Sequence, residues 1–139
     1  MLHFKMYEQL PPEAVQIRQE VFVEEQGFEV EFDETDHHAR HIVLFDDEMP
    51  VGVCRFYLDD DKNAYVLGRV AVRKEFRGRS FGLMLVQEAE KQVRALRGDK
   101  LLLAAQTRVR EFYEKQGYAA EGEEFLDEYC PHIWMSKAL

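Results

Sequence analysis

Between Arg69 and Arg79 the chain gathers Arg69, Arg73, Lys74, Arg77 and Arg79 against Glu75 alone. That basic island stands out in a 139-residue protein whose net charge is −9. The surrounding run, Leu67-Gly68-Arg69-Val70-Ala71-Val72-Arg73-Lys74-Glu75-Phe76-Arg77-Gly78-Arg79-Ser80-Phe81-Gly82, passes from an apolar strand through a glycine-containing loop into an amphipathic helix. Backbone N–H groups of such a loop and of the first helical turn have no internal partners. They lie at the positive end of the helix dipole and favour a phosphate. Gly78 and Gly82 admit a ligand close to the backbone, and Arg77 and Arg79 add charge. Neither GxxxxGK[ST] nor GxGxxG occurs here, so the spacing predicts a diphosphate cradle of a different type.

Composition narrows the setting of that cradle. With 27 acidic residues against 18 basic ones, the chain repels phosphate backbones, which argues against nucleic acid as a partner. No apolar run approaches the length of a membrane span, and Met1 to Tyr7 lacks the apolar core and small residues of a signal peptide. Cys54 and Cys130 belong to no CxxC pair and read as reduced thiols of a cytoplasmic protein. His37 and His41 stand four apart beside Asp33 and Asp36, but without a cysteine or a third spaced histidine they predict no metal site.

The elements that must position the cradle follow from hydrophobic spacing. Leu2 to Tyr7 reads as a strand. Pro11-Pro12 opens a helix carrying Ala14, Ile17 and Val21 on one face and stopping at Gly27. The acidic, histidine-rich stretch from Glu29 to Arg40 reads as loop with a helical turn. Strands at His41 to Phe45, Val51 to Leu58 and Ala64 to Arg73, joined by short polar turns, predict an antiparallel meander. A helix from Ser80 to Arg97 is followed by an apolar strand at Lys100 to Ala105, buried on both faces. A short helix at Val109 to Gln116 and strands near Tyr118 to Ala120 and His132 to Lys137 complete the order β-α-β-β-β-α-β-α-β-β. The expected fold class is α/β of the α+β kind, one domain over residues 1–139, with helices flanking a mixed, largely antiparallel sheet.

Arg77 and Gly82 stand at the ends of a segment that resembles the acetyl-CoA signature of the GNAT superfamily of N-acetyltransferases, [QR]-x-x-G-x-[GA], with Ser80 in place of its central glycine. Leu101-Leu102-Leu103-Ala104-Ala105-Gln106 followed by Phe112-Tyr113-Glu114-Lys115-Gln116-Gly117-Tyr118 is similar to that family's later strand and helix. Arg18 to Gln26, Glu31 to Asp36, Ala39-Arg40-His41 and the tail from Gly122 to Met135 resemble its ElaA- and YjcF-type subgroup.

The resemblance implies transfer of an acetyl group from acetyl-CoA to an amine of a small molecule or protein, with no metal. It implies coenzyme contacts from Val70, Ala71, Val72, Arg77, Gly78, Arg79, Ser80, Phe81, Gly82, Phe112 and Tyr113. Val70 to Val72 would act through backbone groups, in a strand that the family often bulges away from its parallel neighbour. Tyr113 is the implied general acid for the departing thiolate. For the general base the residues leave Glu25, His41, Glu123 or a water on Gln106 open. Glu24-Glu25 and Asp33-Glu34 would draw a cationic amine. A non-catalytic acetyl-CoA-binding module is the other functional class compatible with the cradle, a metal-dependent hydrolase using the His37 and His41 region is a third, and a homodimer is left open.

Overall fold

The computed structural model describes residues 1–139. Its elements are β1 (Leu2–Tyr7), α1 (Pro12–Arg18) continuing as a π-helical segment (Gln19–Glu25), β2 (Arg40–Asp46), β3 (Met49–Asp59), β4 (Ala64–Val72), α2 (Phe81–Ala95), β5 (Lys100–Gln106), α3 (Arg110–Glu114), β6 (Ala119–Asp127) and β7 (Cys130–Ala138). The seven strands form one sheet in the order β1-β2-β3-β4-β5-β7-β6. Every neighbouring pair is antiparallel except β4 and β5. The expected fold class and element order therefore hold.

Alternation along the central strands feeds two cores, one per face. Ile42, Leu44, Cys54 and Phe56 point to the face covered by α2, where Phe81, Leu85, Ala89 and Val93 form the buried stripe. Val43, Phe45, Val53 and Ala71 point to the other face, under Ala14, Ile17, Val21 and Phe22. Burial on both sides holds the middle of the sheet rigid, and the site grows from it.

One strand extends beyond the range that its spacing predicts. The strand expected near Tyr118 to Ala120 runs on to Asp127, through an irregularity between Glu121 and Phe125 where Gly122 takes φ +77°. β6 is an edge strand with scarcely any buried residue, so no apolar alternation marks it.

Candidate active site

The parallel pairing of β4 with β5 is brief. Tyr65, Val66 and Leu67 pair with Leu101, Leu102 and Leu103, and there the register ends. In the same place Arg55 pairs with Gly68 but Val53 pairs with Ala71, so Arg69 and Val70 together oppose Cys54. This is a β-bulge, with Arg69 at φ +52°. The bulge bends β4 away from β5, leaving the edge of β4 from Gly68 to Val72 without strand partners on that side. A cavity of about 520 Å³ opens in the gap.

The N-terminus of α2 lines one end of that cavity through Gly78, Ser80, Phe81 and Gly82. Gly78 has φ +83°, and a Cβ built on it would meet nothing within 4 Å. On Gly82 a Cβ would make only ordinary contact, 3.6 Å from Phe112 Cζ and 4.0 Å from Val72 Cγ2. A side chain on Gly82 would stand beside Phe112 and Val72, both of which line the cavity. Ser80 adopts φ +63°, the left-handed conformation that explains a glycine at this position of the signature.

The two arginines behave differently from a free cationic pair. Arg77 bonds both oxygens of Glu25 and also donates from Nε to the Val72 carbonyl oxygen at 3.0 Å. Arg79 stands outside the cavity lining, its guanidinium carbon 5.6 Å from the centre of the Phe76 ring. Ala71 also leaves the main cavity, because its methyl faces the α1 core. Val70, Val72, Phe112 and Tyr113 do line it.

Tyr113 is fixed by edge-on packing against Phe112, at 5.0 Å, and Tyr118, at 5.8 Å. No protein group bonds its hydroxyl, yet the oxygen is not sealed in the core, so it opens to the cavity. Burial pushes the phenol above its ordinary range and keeps it protonated.

The far end of the cavity is roofed by residues 26–31 and by the β6–β7 hairpin. Glu128 accepts from the N–H groups of Glu29 and Val30 at 2.8 and 2.9 Å, and the Tyr129 hydroxyl donates to the Gln26 carbonyl. Gln106 donates to the Gln26 side chain at 2.9 Å and accepts from Arg108 at 2.9 Å, so its amide is committed at both ends. Phe22, Phe28, Tyr57 and Trp134 supply an aromatic wall. His132 joins them, with Nδ1 2.9 Å from the Cys130 carbonyl oxygen.

Behind this end lies a buried ionic network. Arg18 bonds Glu31 at 2.9 Å and Asp36 at 2.7 and 3.1 Å. Arg55 bonds Asp33 at 2.7 Å and Asp36 at 2.8 Å, and Arg69 reaches Glu31 Oε2 at 2.9 Å. Three cations thus neutralise three carboxylates. Burial raises the Glu31 carboxyl, which the arginines only partly offset. Burial also opposes ionisation of Asp36, but its hydrogen bonds from Arg18 and Arg55 win and hold it well below the usual carboxylate range.

The residues considered as base separate accordingly. Glu25 is clasped by Arg77, whose hydrogen bonds lower its carboxyl, and it does not line the main cavity. His41 is buried on β2, two strands away from the gap, with Nε2 3.1 Å from the Asp36 carbonyl oxygen. Burial lowers its imidazole. Glu123 is exposed on the outer edge of β6. Asp33 is spent on Arg55 and Arg69, so it does not offer the free negative charge expected for an amine. His132, Phe28, Tyr57 and Trp134 carry no local spacing signal; β7 supplies His132 and Trp134, β3 supplies Tyr57, and the loop after the π-helical segment supplies Phe28.

The model of the Acetyltransferase (GNAT) family matches residues 5–118. This chain belongs to that family. The GNAT chain is 38% identical over 128 residues to the uncharacterized N-acetyltransferase YjcF of Bacillus subtilis, covering 90% of each. It is 30% identical over 128 residues to the protein ElaA of Escherichia coli, covering 88% of this chain and 84% of the relative. The crystal structure of ElaA superimposes with a TM-score of 0.87 at 26% identity, over 99% of each chain. The fold is shared with an aminoglycoside 6'-N-acetyltransferase complexed with coenzyme A, at 17% identity and TM-score 0.74, over 98% of this chain and 96% of the other. No helix of the GNAT chain is long and apolar enough to cross a membrane.

Proposed function

We propose that the protein moves the acetyl group of acetyl-CoA directly to a primary amine. One observation carries the reading: the gap between β4 and β5 opens at the bulge into a single cavity shared by the α2 N-terminus and Tyr113. Acetyl-CoA fits the residues present. The unpaired edge of β4 around Val70 and Val72 would bond the pantetheine amides and polarise the thioester carbonyl. Gly78, Ser80, Phe81 and Gly82 would receive the pyrophosphate on backbone N–H groups. The bound coenzyme supplies an activated acyl group, and the same fold holds coenzyme A in the aminoglycoside enzyme. Tyr113, kept protonated, would give its proton to the departing sulfur.

Direct transfer is favoured over a covalent enzyme intermediate by the cysteines. Neither Cys54 nor Cys130 lines the cavity, and burial pushes both thiols up, away from the thiolate a nucleophile needs. The test is thiol release from acetyl-CoA across polyamines, amino acids, aminoglycosides and peptides, beside calorimetry of acetyl-CoA binding. Release with at least one amine is the expected result. Binding without release from any amine would move the protein to a regulatory coenzyme-binding role, and no binding at all would overturn the site.

A further inference from the structure

We propose that His132 is the general base that takes a proton from the acceptor amine, an assignment that rests on acetyl transfer as the reaction. β7 places its ring in the aromatic wall of the cavity, 8% exposed. Nδ1 lies 2.9 Å from the Cys130 carbonyl oxygen, and a carbonyl can only accept, so Nδ1 carries the hydrogen. Nε2 therefore presents a lone pair. No protein group donates to it, yet it is not sealed from the cavity. A nitrogen so nearly buried, with its tautomer set from behind and nothing in front, is an acceptor for a donor that arrives through the cavity. Phe28 packs edge-on at 6.4 Å and Phe125 stacks at 5.9 Å, so the ring plane is held before any substrate binds.

The rest of the cavity leaves this role open. Its other titratable or charged groups are Glu31 from the roof, Arg55 and Tyr57 on β3, Arg69 on β4, Arg77 before α2, Arg108 after β5, Tyr113 on α3 and Asp127 on β6. Glu31 is locked between Arg18 and Arg69, the arginines have no lone pair to give, and Tyr113 is held protonated. Asp127 stands exposed to solvent at the end of β6, whereas His132 is held nearly buried in the aromatic wall.

Nε2 takes one proton from the ammonium, and the freed nitrogen lone pair forms the C–N bond at the thioester carbonyl carbon. The C–S pair leaves with sulfur, which accepts the Tyr113 proton, and Tyr113 recovers one from the new amide nitrogen. The products are the N-acetyl amine and free CoA thiol, and the imidazolium releases one proton to solvent.

His132→Asn keeps a donor for the Cys130 carbonyl but has no base. With an amine that the wild type accepts, its kcat/KM near neutral pH should fall by about 10²–10⁴-fold. The deficit should shrink as pH approaches the amine's own ionisation, while acetyl-CoA affinity by calorimetry stays within about twofold, since no uniform binding is lost. His132→Gln should show the same loss. An unaltered pH profile and rate in either variant would overturn the role while leaving acetyl transfer standing. A wild-type protein that binds acetyl-CoA but acetylates no amine would remove the reaction itself. Imidazole 15N resonances of the wild type provide a check independent of variants: an Nε2–H tautomer would overturn the assignment.

Discussion

Arg77 grips Glu25 at both ends, Nη1 to Oε2 at 2.6 Å and Nη2 to Oε1 at 2.7 Å. The pair straps the loop before α2 to the end of the π-helical segment, and through Arg77 Nε also to the last residue of β4. A guanidinium so engaged shapes the loop more than it reaches for a phosphate. Glu25, ionised and paired, is a weak base.

Glu25→Gln should therefore change kcat by less than about threefold and leave the pH–rate profile in place, with a stability loss below about 1 kcal/mol for this partly exposed pair. Steady-state kinetics across pH tests it. A drop of about 100-fold, the scale of a lost acid–base catalyst, would return Glu25 to the chemistry.

Tyr113→Phe separates catalysis from packing. Phenylalanine keeps the ring contacts with Phe112 and Tyr118 and removes only the hydroxyl that opens to the cavity. Turnover should fall by about 10²–10⁴-fold with acetyl-CoA affinity nearly unchanged. Because burial raises the phenol, its loss of the proton should not produce a falling limb below about pH 10 in the wild type. A wild-type rate that declines in that range and flattens in the variant would contradict this.

How much of this was legible from residues alone depends on range. The β4–α2 segment from Val70 to Gly82 could be read because one local stretch holds strand, loop and helix start. Tyr113 was legible only through the resemblance of the Phe112-Tyr113 helix. His41 misled: near in sequence to the acidic loop, it sits on a strand whose face turns into the core. His132 has no signature in spacing: Cys130 and Phe125 are near it in the chain, but Phe28 and the cavity that its ring faces are brought to it only by the fold. The bulge at Arg69 was anticipated from the family alone, since an arginine at positive φ has no signature in spacing.

The α2 N-terminus makes a prediction in which binding and stability part company. Gly82→Asp adds a carboxylate at a helix start, which is neutral to stabilising by about 0.3–1 kcal/mol. The Cβ position has ordinary contact distances, so the fold should tolerate it. The same carboxylate should repel a pyrophosphate and lower CoA affinity at least about tenfold, roughly 1.4 kcal/mol. Ser80→Gly, relieving the left-handed serine, should raise the melting temperature with a gain of up to about 1 kcal/mol. Melting curves and calorimetry on the pair check both, and unchanged CoA binding by Gly82→Asp would remove the phosphate from this loop.

The buried network gives the sharpest pH signature. Asp36 has a depressed carboxyl, so its contribution is present above the unfolded carboxylate range, about pH 4, and is lost as pH falls through its lower folded value. Glu31, raised by burial, works in the opposite sense: its contribution is present below the unfolded range and is lost as pH rises through its higher folded value. Arg18→Met would strip the cation that both share and leave buried carboxylates short of a partner. At neutral pH this should cost about 3–5 kcal/mol. The loss should shrink at about pH 5 as the uncompensated carboxyl takes up a proton, whose folded value now lies higher still. Denaturant melts of the variant and wild type at the two pH values decide it. A penalty that stays constant between them would mean that Arg18 acts through its packing under Phe32, 4.8 Å from the ring centre, and not through charge.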